Sequence, residues 1–253
     1  PPPRPPATPA RPPATPGGAP SKVDDERGGR EGLERFSAKA RELGLGVLVD
    51  IVPNHMGVGT PRDNPWWWDV LKHGQQAAHA ESFDIDWEAG GGKLLIPTVG
   101  DDDMPRERGD AIANVTVDTE AGVLRYHSTE YPLAEGSAPE GASVREVLDN
   151  QHYQLIHWRQ GDSRLNYRRF FTITSLAGIR VEDEHVFEEA HAEILDWMRH
   201  RLVDGLRIDH PDGLRDPGGY LRHLADRTRG AYVLVEKILE GDEALPADWR
   251  TAG

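Results

Sequence analysis

Leu33, Phe36, Ala40 and Leu43 recur at helical spacing with charged residues between them. That pattern predicts an amphipathic helix, and Gly44 is its stop signal. The stretch from Leu45 to Val52 is apolar at almost every position and ends at Pro53. A short run that is apolar on both faces predicts a buried parallel strand. Residues 30–52 therefore read as helix, then strand. The same alternation returns near the C-terminal end. Val186, Ala190, Ile194, Trp197, Met198 and Leu202 form a helical stripe ending near Val203, and 205–209 reads as a short strand. Tyr220, Leu221, Leu224 and Ala225 mark a helix that starts near Pro217 and stops at Gly230, and 231–236 reads as the next strand. Strand, crossover helix and strand imply parallel neighbours, which places the chain in the α/β class.

The middle of the chain, 57–165, breaks this rhythm. It holds Gly90 to Gly92, an acidic run from Asp101 to Asp103, and short strand-like stretches at 94–99 and 123–131. Val144, Val147, Leu148, Gln151 and Leu155 predict a helix before Trp158. This region reads as a long inserted subdomain. At the other extreme, ten of the 20 prolines fall within the first 20 residues, a stretch with no large apolar side chain. Such a composition cannot bury enough surface to offset ordering entropy, so an extended, disordered segment is expected. The expected organisation is a proline-rich segment at 1–22, a helix and strand at 23–56, the insertion at 57–165, and further strands and helices at 166–253.

Composition narrows the functional classes. The 253 residues carry a net charge of −14 and no cysteine. The charge argues against binding a phosphate backbone, so no nucleic-acid partner is expected. The lack of cysteine excludes disulfides, thiolate metal sites and a cysteine nucleophile. No apolar run reaches about 18 residues, so no membrane partner is expected either. With no apolar signal segment in view, a cytoplasmic location is the expectation. No cofactor is implied. The 11 histidines show no HExxH spacing, and Asp101 to Asp103 lack the alternating ligands of a calcium loop, so the acidic run reads as a solvated turn and no metal is expected. Gly90 to Gly92 lack the Lys-Ser or Lys-Thr of a phosphate loop, and Ser175 lacks the turn context of a serine nucleophile.

Candidate chemistry sits where the three predicted strands end. The first runs into Asp50, Asn54 and His55, the second into Arg207, Asp209 and His210, and the third into Glu236 and Lys237. In a parallel barrel the C-terminal strand ends converge on one face, where sites are built. Asp209 and Glu236 belong to successive strand–helix units and should lie close together. Two facing carboxylates are what glycoside chemistry requires: one attacks the anomeric carbon while the other protonates the leaving oxygen. A separation of about 5–5.5 Å would favour the retaining route. Arg207 is two residues before Asp209, so its side chain leaves the strand on the same face and would favour an ionised carboxylate.

The segments VDIVPNH (49–55), DGLRIDH (204–210) and VEKI (235–238) resemble the first three conserved regions of the alpha-amylase family, glycoside hydrolase family 13. The resemblance implies a (β/α)8 barrel, present here as a partial barrel with a long inserted subdomain after its third strand. It assigns Asp209 as nucleophile and Glu236 as general acid/base, with Arg207 positioning the nucleophile. Asp50, Asn54, His55 and His210 would then line the sugar site. Longer stretches, among them NPWWWDVL (64–71), QHYQLIHWR (151–159) and NYRRFFTITSLAGIRVEDEHVF (166–187), resemble one branch, the maltooligosyl trehalose synthases, from about Val23 onward. That branch turns the reducing-end α-1,4 linkage of a maltooligosaccharide into an α,α-1,1 linkage. The implied partner is a maltooligosaccharide. An α-glucan hydrolase, a non-catalytic glucan binder and an inactive fragment are the competing readings. To hold the released glucose and exclude water, the synthase chemistry needs an enclosure, for which 57–165 and 166–171 are candidates. Trp66, Trp67 and Trp68 read either as sugar-stacking platforms or as packing.

The resemblance also sets two further expectations. Residues 1–20 do not look like the segment that precedes the first region in the family, as a shifted reading frame would explain. The fourth region, with the third carboxylate, does not appear before Gly253. An isolated partial barrel has open edges, so an aggregating or inactive chain is expected.

Overall fold

The computed structural model describes residues 23–107 and 110–253, so the proline-rich segment expected at 1–22 lies outside the described residues. The chain forms α1 (Gly29–Glu42), β1 (Leu48–Ile51), β2 (His55–Gly57), α2 (Pro65–His73), β3 (Leu94–Val99), β4 (Val115–Asp118), β5 (Val123–Tyr126) and β6 (Thr129–Pro132). It continues with α3 (Val144–Asp149), β7 (Tyr153–His157), α4 (Gly161–Arg164), β8 (Arg169–Phe170), β9 (Ile173–Gly178), α5 (Glu184–Arg199), β10 (Gly205–Ile208), α6 (Pro217–Arg227) and β11 (Tyr232–Val235).

The three strands predicted at 45–52, 205–209 and 231–236 form one parallel sheet in the order β1-β10-β11. Its register sets Asp50 beside Arg207 and Arg207 beside Leu234. Alternation along β10 buries Leu206 and Ile208 completely, in one core with Ile194 of α5 and Leu221 and Leu224 of α6. Arg207 therefore points from the opposite face. The helix signals are local and explicit. The Asp216 side chain accepts from the Gly219 N–H, and Pro217 occupies the first helical position, so α6 starts where its cap dictates.

Two expectations of burial do not hold. β1 pairs with β10 along one edge only among the described strands, and Leu48 and Asp50 are exposed. The apolar stripe of α1 is only partly covered: Leu33 and Ala40 are half-buried, while Phe36 is 60% and Leu43 65% exposed. The helix is held instead by polar contacts. Arg30 reaches Asp196 of α5 at 2.6 Å, and Arg41 donates to the Arg201 carbonyl.

Between β1 and α5 lies a second body of structure. β2 pairs antiparallel with β9, and β9 with β8. β3 and β7 pair in parallel, and β4, β5 and β6 form an antiparallel meander. Residues 169–178 pair back to β2, and Phe83 and Ile85 form single bridges to Ile179 and Tyr167. The strand-like stretch 123–131 is a hairpin that turns at His127, whose φ is 50°. The helix expected to reach Leu155 ends at Asp149, and Leu155 lies in β7. Its apolar spacing fits both periods, and the parallel partner β3 decides for strand.

Trp66 and Trp67 are buried, which settles them as packing residues. Trp67 meets Phe83 and Tyr167 edge-on at 4.9 and 5.2 Å, and Trp66 stacks on His79 at 4.9 Å. Asn64, itself fully buried, caps α2 by accepting from the Trp67 N–H while donating to the Gly57 carbonyl. The acidic run is less solvated than expected. Asp103 accepts from Tyr126 at 2.7 Å and Asn114 at 2.6 Å, and it pairs with His127 at 2.8 Å. No described helix is long and apolar enough to cross a membrane.

Candidate active site

Asp50, Arg207, Asp209 and Glu236 meet at the C-terminal end of the parallel sheet. The register of β1 and β10 makes Asp50 and Arg207 neighbours, and the i, i+2 relation keeps Asp209 on the same side. Glu236 continues β11 in register, since its N–H donates to the Ile208 carbonyl at 2.8 Å. Asp209 likewise donates to the Ile51 carbonyl at 2.9 Å. The Arg207 guanidinium binds all three carboxylates: Asp50 at 2.6 Å, Asp209 at 3.4 Å and Glu236 at 3.0 Å. Asp209 and Glu236 are themselves in hydrogen-bond contact. The two carboxyls thus share one guanidinium and lie within each other's reach.

The electrostatics separate the two acids. Partial burial first, then the hydrogen bond and charge of Glu236, push Asp209 up to about 6. Glu236 is held below the usual carboxylate range by its hydrogen bond from Asp209 and by the Arg207 charge. Of the two, Asp209 is the one whose protonated form burial favours. Arg207 does favour the Asp209 anion, as its position suggested, but burial and two neighbouring carboxylates outweigh it.

The remaining predicted residues form an adjoining wall. His210 follows Asp209 in a left-handed conformation, with φ 47°. Its ring packs against Phe170 at 5.0 Å and Phe171 at 5.1 Å. His55 packs against Phe170 in a tilted contact at 4.2 Å. Burial, and after it the nearness of His210 and Arg168, push His55 down to about 4, so this ring stays neutral in the ordinary range. Asn54 is 2% exposed and lies under the wall. All seven predicted residues are thus brought to one end of the sheet.

Arg168 was not predicted, yet it holds this wall together. It donates to Asn54 Oδ1 at 2.7 Å and to the Ile179 carbonyl at 2.8 Å, and it pairs with Asp84 at 3.2 Å. Gly178 makes room for it, since a Cβ there would stand 2.5 Å from Arg168 Cζ. Gly213 plays the same part beneath His210, where a Cβ would lie 2.7 Å from the ring and 2.8 Å from Asn54. The paired arginines in NYRRFF were the available signal. Lys237, beside Glu236, is held by Asp212 at 3.2 Å and Glu243 at 2.8 Å.

The alpha amylase catalytic-domain model matches residues 20–221. The chain belongs to that family. This alpha-amylase family chain is 50% identical over 227 residues to a Mycobacterium tuberculosis H37Rv protein called "Putative maltooligosyl trehalose synthase". The match takes in 89% of the chain and 28% of that relative. Among solved structures, the maltooligosyltrehalose synthase of Arthrobacter ramosus superposes with a TM-score of 0.85 at 52% identity, covering 92% of this chain and 30% of the other. A hypothetical maltooligosyl trehalose synthase of Sulfolobus tokodaii gives a TM-score of 0.75 at 35% identity, covering 90% and 30%. The chain thus spans under a third of the length of these relatives. Its three parallel strands and flanking helices are part of a (β/α)8 architecture.

Proposed function

We propose that this chain carries the glucosyl-transfer site of a maltooligosyl trehalose synthase, which turns the reducing-end α-1,4 linkage of a maltooligosaccharide into an α,α-1,1 linkage. The observation that carries the reading is Arg207 bridging Asp50, Asp209 and Glu236, with the last two in contact. We read the whole stretch between β1 and α5 as an insertion after the barrel's third strand, with β8 and β9 laying its aromatic edge over the site.

In this proposal the Asp209 carboxylate attacks the anomeric carbon and Glu236 protonates the departing oxygen of the terminal glucose. A covalent glucosyl ester forms on Asp209. Glu236, now ionised, takes the proton from the anomeric hydroxyl of the retained glucose, whose oxygen attacks the anomeric carbon of the ester, breaking its bond to Asp209 and freeing the carboxylate. Two inversions give net retention, and no water is consumed. The first step needs the proton on Glu236, whereas burial favours it on Asp209. A glycosidic oxygen placed against Glu236 would separate the carboxyls and draw the proton across. Arg207 then remains beside Asp209 to stabilise its anion. His55, neutral and packed against Phe170, would offer the sugar a hydrogen-bonding edge without adding charge. Asn54 and His210 would complete the donor-sugar wall.

Maltohexaose incubated with the chain tests this. The proposal requires a fall in reducing ends at constant total sugar, because the new linkage hides both anomeric carbons, whereas an inactive partial barrel would leave them unchanged. A rise would replace the proposal with hydrolysis, and no change would remove catalysis by this chain.

A further inference from the structure

Trp158 opens a single 3-10 turn, Trp158–Gln160, that follows β7. Its indole is 49% exposed, although a tryptophan is among the side chains that gain most from burial. The ring is nevertheless fixed. The Arg159 guanidinium sits 4.4 Å from its centroid, and the His157 ring lies 6.1 Å away. The indole N–H is 3.5 Å from Asp101 Oδ2. Asp101 is held in turn by His157 at 2.9 Å and by two Arg159 nitrogens at 3.3 Å. Those hydrogen bonds, Arg159's first, keep the Asp101 carboxyl below its ordinary range, so it stays an acceptor.

We infer that Trp158 is the floor of a remote glucan subsite, taking a glucosyl unit several residues from the reducing end of a maltooligosaccharide. The inference rests on the function proposed above for the identity of the sugar. Arg159 covers one face of the ring, which leaves the other for a ligand. An apolar plate rimmed by a carboxylate, a guanidinium and an imidazole matches a pyranose, which has an apolar C–H face and a hydroxyl edge. A purely apolar partner would strip water from the Asp101–Arg159 pair without replacing it. An anionic ligand would meet Asp101. Because the ring is already ordered, docking costs little side-chain entropy.

The platform is also joined to the candidate active site. Gln160 runs directly into α4, where Arg169 donates to the Gly161 carbonyl at 3.1 Å and pairs with Asp162 at 2.8 Å. The same guanidinium donates to the Phe171 carbonyl at 3.0 Å, and Phe171 packs on His210. Trp158 and Gly161 are separated by only about 6 Å of 3-10 rise. One arginine therefore fixes the spacing between the platform and the wall beside Asp209.

The test uses the full chain labelled with 15N, titrated with maltoheptaose, maltose and cellohexaose. The Trp158 indole N–H is followed by NMR, and reducing ends are measured in parallel. A saturable shift of that signal with maltoheptaose is expected, a weaker one with maltose and none with cellohexaose. Trp158→Ala should weaken maltoheptaose binding by about tenfold while leaving maltose binding within about twofold. Trp158→Phe should recover part of the loss, since it keeps an aromatic face. Unaltered maltoheptaose affinity in Trp158→Ala, an unmoved indole signal, or no maltoheptaose binding at all would overturn the subsite. Binding at Trp158 with unchanged reducing ends would keep the subsite and remove the rearrangement.

Discussion

Replacing Arg168 with methionine should loosen the wall over the candidate site without touching a carboxylate. Methionine preserves most of the stem packing but removes the donors to Asn54 Oδ1 and the Ile179 carbonyl, at 2.7 and 2.8 Å. Asn54 is buried, so its oxygen finds no water in exchange. An unmet buried acceptor costs about 1–3 kcal/mol. The Arg168–Asp84 pair adds about 0–1 kcal/mol, since Asp84 is more than half exposed. Discounting for the 30% exposure of Arg168 itself leaves about 1–3 kcal/mol in total. For a chain of this size each kcal/mol moves the melting temperature by about 2–4 °C, so a drop of about 2–12 °C is expected. Thermal and urea unfolding at constant m would measure it. A second arm isolates the cause. Gly178→Ala places a Cβ 2.5 Å from Arg168 Cζ and should destabilise the wild type by about 1–3 kcal/mol. In an Arg168→Ala background the clash is gone and the same change should be nearly neutral. Additive effects of the two substitutions, or an Arg168→Met variant within about 0.5 kcal/mol of wild type, would refute the account.

Asp209 should titrate near 6 by carboxyl-carbon NMR, and Glu236→Gln should bring it down toward 3.8 by removing a neighbouring negative charge. Because its folded value is raised, its contribution to stability is complete below about pH 3.8 and is lost as the pH rises through about 6. Asp209→Asn should flatten that part of the pH–stability curve. His55, pushed down to about 4, should remain neutral at pH 5.5 by imidazole NMR. Its lowered value makes stability fall as the pH drops from 6.5 toward 4, a slope that a variant without the ring should lack. Trp67→Ala, at a side chain 1% exposed, should cost about 3–5 kcal/mol in urea unfolding.

The parallel strands and their helices were legible because their signals are local. Pro217 and Asp216 start α6, and a β-branched run ending in charge marks β11. Periodicity could not say which faces find partners. The α1 stripe and the β1 run are apolar in sequence yet exposed at Phe36, Leu43 and Leu48, since burial depends on what packs across the chain. The same limit explains Leu155. Its spacing continues the helical stripe of α3, and only the pairing of β7 with β3, about 60 residues earlier in the chain, assigns it to a strand.

The candidate site divides along the same line. Asp50, Arg207, Asp209 and Glu236 sit within two residues of three strand ends, so knowing the strands and their parallel order was enough to bring them together. Arg168 has no such anchor. It reaches the site because β9 folds back onto β2, setting Gly178 opposite His55. That register is a long-range choice, and it makes the neutral His55, the buried Asn54 oxygen and Gly178 depend on one guanidinium. The protonation of the carboxylate pair is tertiary in the same sense. Arg207 alone, two residues away, argues for an ionised Asp209. The partial burial of Asp209 and the reach of Glu236 from the next strand push the other way. In the proposed mechanism the substrate must therefore leave the proton on Glu236, against the direction in which burial biases the pair.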